Sequence, residues 1–269
     1  MKLRWSNLSL LLAFLLCGCG VNKNPTRSST LTSSSSPRAM TAGNWELDGT
    51  SSAGMAPLRL AGNINPSGTS LTDTVHVSGS KCFDPLTTIP FTGSVSSSGN
   101  VQLNSAAVAG QVITLNGTEY YDRFTGTYSI AGGCADGDFG TVKGNAIGDI
   151  ANVLAGTFRG SSGQTVDVSG NIAQNAAASA DGSYGLSGTV TFTGSCLSSG
   201  TLTSGSVQSG SFIVGTSVGL GIQTDNGTLV FLGLLDQATG EVDGSYTLSG
   251  GSCDQSGTAA LFVSSPWDY

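Results

Sequence analysis

One motif is written twice in this chain, and each copy closes on a cysteine. Residues 126–134 read GTYSIAGGC and residues 244–253 read GSYTLSGGSC. Working backwards, TGSVSSSGNVQLNS from Thr92 matches SGSVQSGSFIVGTS from Ser204, and VSGSKC ending at Cys82 matches FTGSC ending at Cys196. LRLAGNI from Leu58 then matches VDVSGNI from Val166, and Gly43-Asn44-Trp45 matches Gly156-Thr157-Phe158. The order is kept at an offset of about 110 residues, which is the signature of tandem duplication rather than of shared low complexity. The fold must therefore be one that roughly 110 residues can build once and then build again.

The duplication also organises the cysteines. Each half owns two, Cys82 with Cys134 and Cys196 with Cys253. Four cysteines allow three connectivities. An ancestral single unit needed a bond of its own, so pairing within each half is expected. Zinc is the rival use of such residues, but there is no C-x-x-C spacing and the chain has one histidine.

Short apolar-alternating runs separated by Gly, Ser, Thr and Asn fill both halves. In the first, strands are predicted near 45–49, 58–64, 71–78, 89–95, 101–103, 112–115, 124–130 and 140–144. Asn116-Gly117 reads as a two-residue hairpin turn, with Asn226-Gly227 at the corresponding place in the second half. The composition agrees, with 40 Gly and no three-turn stretch of helical periodicity. The expectation is an all-β protein of two tandem repeats, residues 43–150 and 151–269. Each is an antiparallel meander of about eight strands, closed as a barrel or folded as a sandwich. Leu229–Leu235 is apolar on both faces, which predicts a strand covered on both sides, either where the halves pack together or against a partner.

Charge narrows the partners. All 17 acidic residues lie from Glu46 onward, against five basic ones there, a net of −12. Such a surface repels nucleic acid.

The first forty residues carry an address. Lys2 and Arg4 precede an apolar run from Leu8 to Leu16, and small residues follow. This is the order of a secretory signal, and the run is shorter than the roughly 20 residues that span a bilayer. Leu16-Cys17-Gly18-Cys19 resembles the lipobox of bacterial lipoproteins. The resemblance implies cleavage after residue 18 and acylation of Cys19, while Cys17 leaves with the signal. Gly20 after the acceptor resembles the outer-membrane sorting signal of that family. Acyl chains make the lipid bilayer a permanent partner. Residues 19–42 are rich in Ser and Thr and read as a flexible tether. The whole pattern is similar to acidobacterial-type lipoproteins with Gly/Ser/Thr-rich β domains, a family that implies no activity.

Candidate chemistry is sparse. Gly215-Thr216-Ser217-Val218-Gly219 matches G-x-S-x-G, but the strand-to-helix context is missing and the lone His76 lies in the other half. No catalytic residue and no cofactor is assigned. Asp136 and Asp138 could hold calcium through alternate loop oxygens, as could the Asp236, Glu241 and Asp243 group, although turn chemistry alone also favours Asp beside Gly. Tyr120, Tyr121 and Arg123 form the densest aromatic and charged cluster, a candidate binding surface; the alternative has one tyrosine packed inward. Gly43-Asn44-Trp45 resembles the G-x-W signature of lipocalin-type barrels, which implies that Trp45 plugs a closed barrel end and that a small apolar ligand could sit inside.

The functional expectation is a membrane-anchored binding or structural module of the cell envelope, facing an unknown envelope protein or small molecule. The alternatives are an apolar-ligand carrier and, less favoured, a carboxylate-based enzyme. A transmembrane barrel ending in the aromatic PWDY is disfavoured by short strands without aromatic girdles.

Overall fold

The computed structural model describes residues 41–84, 87–194 and 196–263; the signal, lipobox Cys19, most of the tether and the PWDY segment lie outside them. The first half forms β1 (Gly43–Ser51), β2 (Leu58–Ser67), β3 (Ser70–Ser78), β4 (Thr88–Val95), β5 (Asn100–Ser105), β6 (Val112–Tyr120), β7 (Arg123–Ala131) and β8 (Phe139–Ala146). Each strand pairs antiparallel with the next, and β1 pairs with β8 to close the barrel. Closure leaves no open edge, so a Gly- and Ser-rich meander meets its backbone hydrogen bonds internally.

The second half forms β9 (Ala151–Gly160), β10 (Thr165–Gln174), β11 (Tyr184–Thr193), β12 (Ser199–Leu202), β13 (Phe212–Val214), β14 (Ser217–Thr224), β15 (Gly227–Leu235), β16 (Glu241–Ser249) and β17 (Gln255–Val263). It closes through β17 on β9. The gap between β11 and β14 is shared: β12 pairs with both at one end, and β13 pairs with both at the other. The two short strands together occupy one position of an eight-position barrel. No helix of the described residues is long and apolar enough to cross a membrane.

Alternation along every strand sends one set of side chains inward. In the first barrel these include Leu60, Ile64, Ile89, Ile113 and Leu115, all at or below 1% exposure. In the second, Phe158 stands at the centre, with the ring of Tyr246 4.9 Å away and those of Phe192 and Phe231 each 6.3 Å away. Each barrel thus has its own filled core. Cys82 is bonded to Cys134 and Cys196 to Cys253. Both bonds tie the loop after the third strand of a barrel to the loop before its last, at the same end of each unit.

Two local expectations are corrected. Asn116-Gly117 is not a turn: both residues lie within β6, where Gly117 faces Gly126 of β7. A Cβ there would meet the Phe124 ring at 2.6 Å, so this glycine makes room for an inward aromatic. In the second half the β14–β15 turn is made by Asp225 and Asn226, and Gly227 already opens β15 opposite Thr224. Leu229–Leu235 is covered on one face only. Leu229 and Phe231 enter the core, whereas Val230, Leu232 and Leu234 point outward at 47%, 56% and 56% exposure.

Candidate functional site

The barrels meet where the outer face of β1, β2 and β3 receives the β13–β14 turn and the loop before β11. Asn44, 2% exposed, donates from Nδ2 to the Gly215 carbonyl at 2.9 Å and accepts the Gly215 N–H on Oδ1 at 2.7 Å. Glu46 Oε2 accepts from the Thr216 N–H at 2.7 Å and its hydroxyl at 2.6 Å, while Oε1 lies 3.4 Å from Arg59. Tyr184 donates its hydroxyl to Asn63 at 2.6 Å. Gly182, at φ +85°, lies so close that a Cβ would meet the Thr74 carbonyl oxygen at 2.0 Å. The contacts of Asn44, Glu46 and Gly182 across the junction use fixed backbone groups, so they set the relative position of the barrels.

His76 is buried at this junction, with Nε2 3.8 Å from Asp181 Oδ2. Burial pushes the Asp181 carboxyl up, but hydrogen bonds from the Ser183 hydroxyl and N–H outweigh it and hold the acid below its ordinary range. The G-x-S-x-G stretch spends its first two residues on Asn44 and Glu46 and then runs into strand β14 at Ser217. It docks the barrels and is not a nucleophile elbow.

Beside these polar contacts lies an apolar patch. Ala61 of β2 packs against Phe212 and Val214 of β13, with Val207 against them. Next to it opens a cleft of about 450 Å³ whose walls include Ala61, Val77, Phe212, Leu232 and Leu234. The outward side of β15 therefore borders the junction without being closed by it. A second hollow of about 390 Å³ continues along the same strand past Val230.

The predicted site residues separate. Trp45 is 1% exposed, inside the first barrel, with its indole N–H donated to the Thr41 carbonyl at 2.9 Å. It is core at a barrel end and offers no surface to a ligand. Asp136 and Asp138 do not converge on a cation position. Asp136 accepts the Gly132 N–H at 2.7 Å, and the oxygens of Asp138 take the Ser51 hydroxyl at 2.6 Å and the Tyr128 hydroxyl at 3.1 Å. Burial, then Asp138 itself, raises the Tyr128 pKa. Among the described residues no group of three metal-ligating side chains forms. Tyr120 and Tyr121 are both outward, 69% and 48% exposed, with rings edge to face at 4.3 Å on the β6–β7 turn that Arg123 closes.

Two features escaped sequence reading. Asn44 and Glu46 look like ordinary polar positions of a half-exposed strand. Asp73 points into the first barrel, 5% exposed, and burial drives its pKa up to about 7 against a single hydrogen bond from the Asn65 N–H. The signal for Asp73 was available, since it shares the inward phase of Leu71 and Val75.

No family model matches the chain, and no curated protein matches it. Among solved structures, kievitone hydratase from Nectria haematococca is similar at 11% identity, covering 85% of this chain and 90% of that one, with a TM-score of 0.27. The Burkholderia oklahomensis agglutinin is similar at 13% identity, covering 83% and 97%, with a TM-score of 0.20. Likenesses this slight assign no activity to either barrel.

Proposed function

We propose that this chain is an exported lipoprotein, anchored through acylated Cys19, whose paired barrels act as one binding module of the cell envelope with the junction cleft as the binding surface. The observation that carries the reading is the cleft itself, where outward Leu232 and Leu234 border an apolar hollow fixed in shape by buried hydrogen bonds between the barrels. Contiguous exposed apolar surface of this kind marks interaction sites. The two disulfides support export, because such bonds persist in oxidising compartments. Both barrel interiors are packed with side chains, which counts against a ligand carried inside either one.

The test is site-specific photocrosslinking in membranes. A photoreactive residue at Leu232 or Leu234 is expected to give a discrete adduct that is lost when the other position carries Asp. The same residue at Thr127, on the outer face of β7, is expected to give none. Equal adducts from both faces, or none from either, would overturn the cleft as the binding surface.

A further inference from the structure

The β6–β7 hairpin puts two exposed tyrosine rings at its turn, and the geometry around them is unusual. The chain reverses through Tyr121 and Asp122, with Tyr120 paired to Arg123. Tyr121 adopts φ +62°, a conformation that hairpin turns ordinarily give to glycine or asparagine. The fold tolerates that strain and displays an aromatic where a glycine would be easier.

The position of the tip is equally specific. Strand β6 is four strands from β2 in either direction around the barrel, and β2 belongs to the face that docks the second barrel. The tip thus lies across the barrel rim from β2, although β7 is only two strands from β1, where Asn44 docks Gly215. The tip also lies where the chain enters the fold, since the Thr41 hydroxyl donates to the Tyr121 carbonyl at 3.2 Å. Thr41 is 22 positions beyond Cys19, and a tether of the kind expected from that Ser/Thr-rich sequence would reach roughly 25 Å over this length.

The folded part is strongly acidic, and charge at this tip is balanced: Arg123 is exposed beside Asp122, and Lys143, diagonally across on β8, faces Asp48 of β1. The recognition rests on the rings, because tyrosine carries an apolar ring and a polar hydroxyl, the combination favoured at the level of lipid headgroups.

We propose that the Tyr120–Arg123 tip is a membrane-contact site that rests on the bilayer beside the anchor and orients the paired barrels. The proposal rests on the acylated-Cys19 reading.

The acylated protein would be reconstituted into phosphatidylglycerol-containing vesicles carrying a headgroup-level diazirine lipid, photolysed and mapped by peptide mass spectrometry. Label is expected on 120–123 well above any other part of 43–263, and it is expected to fall several-fold in the Tyr120→Ser/Tyr121→Gly variant. That variant relieves the positive φ and is therefore expected to fold. Label spread evenly, label concentrated on another surface, or label unchanged in the variant would overturn the contact site. The intact mass of the same sample separates the two ideas: an acylated, vesicle-bound chain without label at 120–123 sinks the contact alone, and an unacylated chain sinks the anchoring reading and the contact with it.

Discussion

Asn44 and Gly215 lie 171 residues apart and exchange two hydrogen bonds, at 2.9 and 2.7 Å, in a buried setting. The side-chain amide of one barrel completes the backbone of the other as a neighbouring strand would. Replacing it removes a donor and an acceptor at once and leaves the Gly215 N–H and carbonyl buried without partners. Asn44→Leu is therefore expected to cost about 2–4 kcal/mol, from two groups at about 1–2 kcal/mol each. Differential scanning calorimetry should show the wild type melting as one unit and Asn44→Leu resolving into two transitions. A single unshifted transition would show that the amide does not couple the barrels.

Gly182 tests the same junction through sterics. Its positive φ and its approach to the Thr74 carbonyl leave no space for a methyl group. Gly182→Ala is expected to prise the loop from β3 while leaving each barrel closed. Small-angle scattering should report a larger radius of gyration, with an unchanged β signal in circular dichroism.

Asp73 predicts a pH dependence with a definite sign. Its folded pKa, raised to about 7, lies above the ordinary carboxylate value, so between about pH 4 and pH 7 the folded state holds a proton that the unfolded state releases. Stability from this group is present at acidic pH and is lost as pH rises through 7. A tenfold change in a protonation equilibrium is worth about 1.4 kcal/mol, so the loss amounts to a few kcal/mol. Asp73→Asn keeps the site neutral at every pH. The melting temperature of the wild type should fall between pH 5 and pH 8, and that of Asp73→Asn should fall less and exceed it at pH 8.

The disulfides make a matched pair of predictions. Cys82–Cys134 and Cys196–Cys253 close loops of similar length, with separations of 52 and 57 residues. Chain-entropy reasoning gives about 4 kcal/mol for each. Cys82→Ser/Cys134→Ser and Cys196→Ser/Cys253→Ser should each lower the urea midpoint by a comparable amount in the barrel concerned.

Much of the architecture was legible because duplication and period-2 alternation are local signals. The eight strands of the first barrel and both cysteine pairs follow from residues such as Tyr128 and Cys134, which recur as Tyr246 and Cys253. Asn116-Gly117 misled because its turn chemistry was outweighed by a tertiary requirement, the space that Gly117 leaves for Phe124. Leu229–Leu235 showed its apolar faces plainly, but whether the outer face is covered depends on how far the second barrel leans over β15, which no strand pattern encodes. The junction was hidden for the same reason. Asn44 and Glu46 acquire their partners from Gly215 and Thr216, and nothing local to either segment announces the other.

The most direct test of a membrane-anchored double barrel is the intact mass of the protein extracted from membranes without reduction. The expected species is a chain that begins at Cys19, carries diacylglyceryl and N-acyl groups, and is lighter by the four hydrogens lost in forming Cys82–Cys134 and Cys196–Cys253. A chain with an unmodified Cys19, or one that still carries residues 1–18, would contradict it.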